Sequence, residues 1–272
     1  MMRQKCIALT RSIALAALIL LNLGCAHLAR RNDASANDGA RITVLSYNIH
    51  HGAGMDGKID LERIARVIQS ASPDLVSLQE VDRKTQRSGG VDEAQTLADL
   101  TGMSFVFGSA MDYQGGKYGN AILSRLPVGA SGHHALPGEP RVIVEVDCTV
   151  PKSSASFTFM ATHLDTEAEP RLASIPLIEK LFEGQPDKPA LLAGDLNALP
   201  DSPTMRALGK TWSSATAGPD LLTFPSGNPN RQIDYVLFRP ADRWKVIEAR
   251  VLDEPISSDH RPIMAVVEWR AP

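Results

Sequence analysis

Residues 190–197 read Ala-Leu-Leu-Ala-Gly-Asp-Leu-Asn. An apolar run of this length, closed by Gly194, describes a buried strand rather than a helix. It stops at a carboxylate and a carboxamide, Asp195 and Asn197. Working outward, the same pattern recurs: an apolar strand candidate ending in residues able to bind a divalent metal or move a proton. Ser46-Tyr47-Asn48 ends a strand that begins at Ile42, and Gln79-Glu80 follows Leu75–Leu78. His163-Leu164-Asp165 follows Phe157–Thr162, and Ile233-Asp234-Tyr235 and Ser257-Ser258-Asp259-His260 complete six such ends.

Between them lie helical stretches. Leu61, Ile64, Ala65, Val67 and Ile68 recur at helical spacing behind an Asp60 N-cap, and Pro73 closes that helix. A second helix is expected from Asp92, its own cap, to about Leu100, and a third from Arg171 to Phe182. Further strands are expected at Phe105–Phe107, Ala121–Leu123, Arg141–Val150, Ile233–Phe238, Lys245–Leu252 and Ile263–Trp269, with a hairpin at Gly115-Gly116. The sum is an α/β chain with two halves of similar style. It suits two packed sheets with helices on their outer faces, and the periodicity alone suits an open three-layer sheet as well.

The chain has 272 residues, 43% hydrophobic and 22% charged, enough for one large core and inconsistent with a disordered, fibrous or multi-span membrane protein. Aromatic residues at 5% give no stacking platform for single-stranded nucleic acid. Residues 1–25 carry Arg3, Lys5 and Arg11, an apolar run from Ile13 to Leu21, and small residues before Cys25. That is the layout of a secretory signal peptide. Gly24-Cys25 resembles the end of a bacterial lipoprotein signal, which would anchor the chain to a membrane through a lipidated Cys25, although Asn22 stands where an aliphatic residue is usual. Cleavage after Ala26 is the competing reading. Residues 26–40 read as a polar tether and 41–272 as the catalytic domain, exported to the periplasm or anchored at the membrane.

The formal charge is −3, and removal of the leader leaves 25 basic residues against 31 acidic, or −6. No global field gathers a polyanion, so nucleic acid is not favoured as a partner without a local basic patch or metal ions. No protein partner is expected. Of Cys6, Cys25 and Cys148, only Cys148 belongs to the body, where it reads as a small apolar side chain inside a strand.

Each polar strand end alone has an ordinary explanation: a turn for Asn48, a solvated carboxylate for Glu80 or Asp234, a satisfied buried histidine for His163. Six together are informative, because α/β layers place ligands beyond strand ends. Oxygen donors at Asn48, Glu80 and Asp259, with no Cys or His cluster at zinc spacing, favour Mg²⁺, Mn²⁺ or Ca²⁺. Two histidines and the Asp195–Asn197 pair remain for proton transfer and charge stabilisation, a kit for attack of water on a phosphate ester. The sequence contains no Gly-x-Ser-x-Gly elbow, Walker loop or Gly-x-Gly-x-x-Gly turn.

Seven segments in order resemble the endonuclease/exonuclease/phosphatase family, the deoxyribonuclease I-like metal-dependent hydrolases. They are 46–50, 78–80, Tyr-Gly-Asn-Ala-Ile-Leu-Ser-Arg at 118–125, 162–165, 194–197, 232–237 and 258–262. The resemblance implies a four-layer α/β/β/α sandwich of two packed mixed sheets. It implies Glu80 as the main metal ligand, supported by Asn48 and Asp259. Asp195 would orient or deprotonate the water, Asn197 would bind the phosphate, His163 and His260 would stabilise developing charge, and Asp234 would hold the His260 tautomer. Asn120 and Arg141 are implied as phosphate contacts, Arg141 alternatively as a surface residue at a strand start, and Asp165 as a turn residue. Within the family's range the expected substrate is a phosphodiester, with a lipid or small headgroup ahead of polynucleotide. A non-catalytic binding lipoprotein on the same scaffold is the alternative from another class.

Overall fold

The computed structural model describes residues 39–271. In chain order these form β1 (Arg41–Asn48), α1 (Leu61–Ala71), β2 (Leu75–Arg83), α2 (Glu93–Thr101), β3 (Ser104–Tyr113), β4 (Gly116–Ser124), β5 (Val128–Leu136), β6 (Arg141–Thr149) and β7 (Ser156–His163). Then follow α3 (Ala168–Lys180), β8 (Ala190–Asp195), α4 (Pro203–Leu208), the two-residue β9 (Ser213–Ser214), β10 (Asp234–Arg239), β11 (Trp244–Val251) and β12 (Ile263–Trp269). The strands make two six-stranded mixed sheets, ordered β11-β12-β1-β2-β4-β3 and β5-β6-β7-β8-β10-β9.

Side-chain alternation explains why the central strands are apolar throughout. In β1, Ile42 and Val44 face the core between the sheets, while Leu45 and Tyr47 face α1 and α2. In β8, Leu191 and Ala193 face the inter-sheet core and Ala190 and Leu192 face α3 and α4. Both faces are covered, and the layers run α/β/β/α. The open three-layer alternative is excluded.

The helix signals work as read. Asp60 Oδ1 accepts from Arg63 N at 2.8 Å, and Asp92 Oδ1 from Gln95 N at 3.3 Å. The Gly115-Gly116 hairpin joins β3 and β4, with left-handed Gln114 (φ 45°) and Gly115 (φ 80°) at its tip. Both strands run well beyond their expected three-residue cores. β5, α4 and β9 were not expected. β5, Val-Gly-Ala-Ser-Gly-His-His-Ala-Leu, is a mostly solvated edge strand with little apolar signal. α3 starts three residues before Arg171, with Pro170 in its first turn and Pro176 inside it.

Three expectations need correction. Asp234 opens β10 rather than ending a strand, and Ser258–His260 precede β12. Both strands are antiparallel to a neighbour whose C-terminal end carries site residues, so their starts reach the same rim. Gly39 and Ala40, assigned to the tether, belong to the body: Ala40 packs against the inter-sheet core and its carbonyl accepts from Trp269 N at 2.8 Å. The signal peptide, Cys25 and residues 26–38 lie outside the described residues. Among the described residues no helix is long and apolar enough to cross a membrane.

Candidate active site

Sheet register assembles the centre. β7 runs parallel to β8 with His163 opposite Asp195, and β10 runs antiparallel to β8 with Asp234 opposite Asp195. His163, Asp195 and Asp234 therefore form one row across the rim of the second sheet. From the first sheet, Asn48 at the end of β1 reaches across the sandwich: its Nδ2 donates to Asp195 Oδ2 at 3.3 Å and to Glu80 Oε1 at 3.1 Å. Glu80 is left-handed (φ 57°) within a bulge of β2, between Leu78 and Val81, which turns its side chain toward Asn48.

Asp195 Oδ2 is the hub, 3.4 Å from His163 Nε2 and 3.6 Å from His260 Nε2. His260 Nδ1 lies 2.9 Å from Asp234 Oδ2. The His260 loop is pinned to β1 by Ser258, whose hydroxyl donates to the Asn48 carbonyl at 2.7 Å. Asn197, left-handed at φ 48°, donates its backbone N–H to Asp195 Oδ1 at 2.9 Å, and its Nδ2 lies 3.2 Å from His163 Nε2. Asn48, His163, Asp195, Asp234 and His260 are all buried.

Burial separates the two histidines. For His260 burial opposes the charge, but the Asp234 and Asp195 carboxylates outweigh it and hold the imidazole well above its ordinary value. His163 moves the other way: burial, then the charges of Arg141 and His260, push it well below the usual histidine range. Arg141 Nη1 stands 2.9 Å from His163 Nδ1, and a guanidinium only donates, so Nδ1 is the acceptor and the proton sits on Nε2, toward Asp195; the Asn197 amide donates to the Leu164 carbonyl at 3.0 Å and is only a close neighbour of Nε2. Of the two imidazoles implied to stabilise charge, His163 is thus held toward its neutral form with the Arg141 guanidinium beside it, and His260 toward its cationic form. Asp195 itself is raised, by burial first and then by the Asp234 charge.

The remaining expected residues fall in different places. Arg141 is no surface residue; only 10% of its side chain is exposed, and Nη2 donates to Glu139 at 2.6 Å. Asn120 is buried and donates to the Val142 carbonyl at 2.7 Å. Asp165 is a loop anchor, accepting from Glu139 N at 2.6 Å and Glu167 N at 2.7 Å. Asp259 is half-buried beside Ser258, with Oδ1 at 3.3 Å from its hydroxyl, and belongs to neither group of three His or acidic side chains that could share an ion.

Those groups are Asp195–Asp234–His260 and His50–His51–Glu80, each with ligand atoms within 4.8 Å of one another. The second was overlooked in the sequence, where its adjacent histidines sit 30 and 29 positions before Glu80; the visible signal was the His-His pair one residue beyond a strand end. Also overlooked was the cleft of about 370 Å³ beside Glu80, walled by Arg87, Tyr113, Tyr118, Glu139 and Arg141. Arg87 lies over the Tyr113 ring at 4.7 Å and pairs with Asp82 at 2.7 Å.

A hard divalent cation fits this chemistry. The amide of Asn48 is wedged between the Glu80 and Asp195 carboxylates, oxygen donors of the kind such an ion prefers.

The comparisons agree with this geometry. The chain is 24% identical to an uncharacterized protein, YbhP, of Escherichia coli K12 over 241 residues, 82% of this chain and 95% of that one. A crystal structure of an endonuclease/exonuclease/phosphatase from Beutenbergia cavernae superposes with a TM-score of 0.69 at 24% identity, covering 85% of this chain and 72% of that one. A mannosyl-6-phosphatase of Bacteroides thetaiotaomicron superposes with a TM-score of 0.69 at 20% identity, covering 84% of this chain and all of that one. The family model for the endonuclease/exonuclease/phosphatase family matches residues 45–260, a span running from β1 to the histidine that faces Asp195. The chain belongs to that family and is a phosphoric ester hydrolase of its divalent-metal-dependent kind.

Proposed function

We propose that the protein is an exported phosphodiesterase that hydrolyses a lipid headgroup or a small phosphodiester by attack of water. The observation that carries the reading is the hub at Asp195 Oδ2, with two imidazoles at 3.4 and 3.6 Å whose surroundings shift them in opposite directions.

In this reading Asp195 takes up the proton of the attacking water, with His163 Nε2–H and Asn197 N fixing its two oxygens. His260, cationic because of Asp234, faces the charge that grows on the phosphoryl oxygens. Arg141 and Asn197 hold the phosphate, and Asn120 fixes the end of the Arg141 strand through the Val142 carbonyl. Glu80, Asn48 and Asp259 would hold the cation, Mg²⁺, Mn²⁺ or Ca²⁺, which would supply Lewis-acid polarisation of the phosphate.

The substrate size is argued from the cleft beside Glu80. About 370 Å³ between two tyrosines and two arginines suits a headgroup rather than a duplex, in keeping with the acidic net charge. Export rests on the residue pattern of 1–25, and an acyl mass on the purified N-terminus distinguishes lipidation at Cys25 from cleavage after Ala26. A panel of sphingomyelin, glycerophosphodiesters, sugar and inositol phosphates and plasmid DNA, each with Mg²⁺, Mn²⁺ or Ca²⁺, tests the substrate. Turnover of the small esters is expected; rapid plasmid nicking with indifference to the rest overturns the reading.

A further inference from the structure

We infer that His50 and His51 join Glu80 as imidazole ligands of a first-row transition ion, so that this chain's metal site is a mixed nitrogen and oxygen one. The inference shares Glu80 with the hydrolytic reading and rests on it for that residue alone.

The two histidines follow β1 directly and occupy a tight turn closed by Gly52 N to the Ile49 carbonyl at 2.8 Å and Ala53 N to the His50 carbonyl at 2.9 Å. His50 (φ 47°), His51 (φ 46°) and Glu80 (φ 57°) are all left-handed, a conformation non-glycine residues seldom adopt. Three such residues, two from the turn after β1 and one from the bulge of β2, present one ligand atom each within 4.8 Å of the others. Strain gathered at one spot is a mark of a functional constraint.

Second-sphere contacts favour ligation. His50 Nδ1 lies 3.2 Å from the Ala53 carbonyl, which only accepts, so Nδ1 carries the proton and Nε2 keeps its lone pair. The Nδ1 of His51 is buried with no hydrogen-bond partner, and ligation of the ring lets an otherwise unpaired imidazole serve a purpose. The rings meet edge to face at 4.5 Å, which orients each against the other. Two imidazoles change metal preference: nitrogen donors favour Mn²⁺, Co²⁺ or Zn²⁺ over Mg²⁺.

The test uses the full chain stripped with a chelator and loaded with Mn²⁺ or Co²⁺. Pulsed electron paramagnetic resonance of the Mn²⁺ protein is expected to show imidazole nitrogen coupling, retained in His260→Ala and lost in the His50→Gln/His51→Gln double variant. Co²⁺ affinity, read from its visible absorption, is expected to fall at least tenfold in His50→Gln and in His51→Gln. Absence of nitrogen coupling in the unaltered protein overturns the inference, as does coupling that vanishes in His260→Ala or wild-type Co²⁺ affinity in both single variants. Where the double variant does not fold, the Co²⁺ affinity of the two single variants decides the matter. Ester hydrolysis with Mg²⁺ but no nitrogen coupling removes histidine ligation alone, while nitrogen coupling without ester hydrolysis removes the catalytic reading alone.

Discussion

A single oxygen, Asp195 Oδ2, touches groups from three directions: the neutral His163, the cationic His260 and the amide of Asn48 from the opposite sheet. Replacing Asp195 by Asn or His260 by Ala is expected to lower kcat by about 10²-fold or more, because each removes proton transfer or charge stabilisation in a buried site. Unchanged turnover in both would remove the assignment. The state of His260 depends on Asp234, so Asp234→Asn carries a directional expectation. In the native site two carboxylates outweigh burial and keep the imidazolium to high pH. With one neutralised, burial regains weight, the imidazole falls toward or below its ordinary value, and the alkaline limb of the kcat–pH profile moves to lower pH. A profile whose alkaline limb stays in place contradicts the role given to that pair.

At the scale of elements the site depends on how closely β7 and β8 approach. A Cβ added to Gly194 would stand 2.1 Å from the Thr162 carbonyl oxygen on β7, a backbone atom that can give way only if the strands part. Gly194→Ala is therefore expected to destabilise the protein by about 1–3 kcal/mol and to lower kcat, since the next residue pair along the ladder is His163 and Asp195. A Tm and kcat both at native values would show that the strands yield freely. This same segment was legible beforehand: Ala-Leu-Leu-Ala is apolar because both faces of β8 are covered, and Gly-Asp-Leu-Asn marks where coverage ends. The caps at Asp60 and Asp92 were legible for a similar reason, being local chemistry between residues three apart. β5 was not, because an edge strand exposed on one side needs few apolar residues, and its pairing with β6 is fixed by partners distant from any local pattern. The lowered state of His163 was equally out of reach, because it follows from burial and then from Arg141, 22 positions earlier, meeting its Nδ1. The His50–His51–Glu80 group required knowing that a bulge turns Glu80 toward a loop far away in sequence.

Across the whole molecule, two sheets and four layers leave few places where a carboxyl group is buried without a catalytic purpose, and Glu93 is one. At the start of α2 it is fully buried; Oε2 accepts from Asp82 N at 2.7 Å, while Oε1 has no partner. Burial, the largest influence, pushes its carboxyl up to about 8 against the relief from that backbone bond. The sign follows from linkage: the unfolded chain loses this proton near the ordinary glutamate value, the folded chain only near 8. Between those limits the folded state binds more protons, so stability falls as pH rises through the interval and stops falling above it. Glu93→Gln keeps an oxygen for Asp82 N and removes the titration. It is expected to stabilise the protein by roughly 4 kcal/mol at pH 8, or on the order of 10 °C in Tm, and to change little at pH 4.5. Denaturant unfolding of both chains across that range checks this, and a stability difference independent of pH would mean that Glu93 is already ionised in the folded protein.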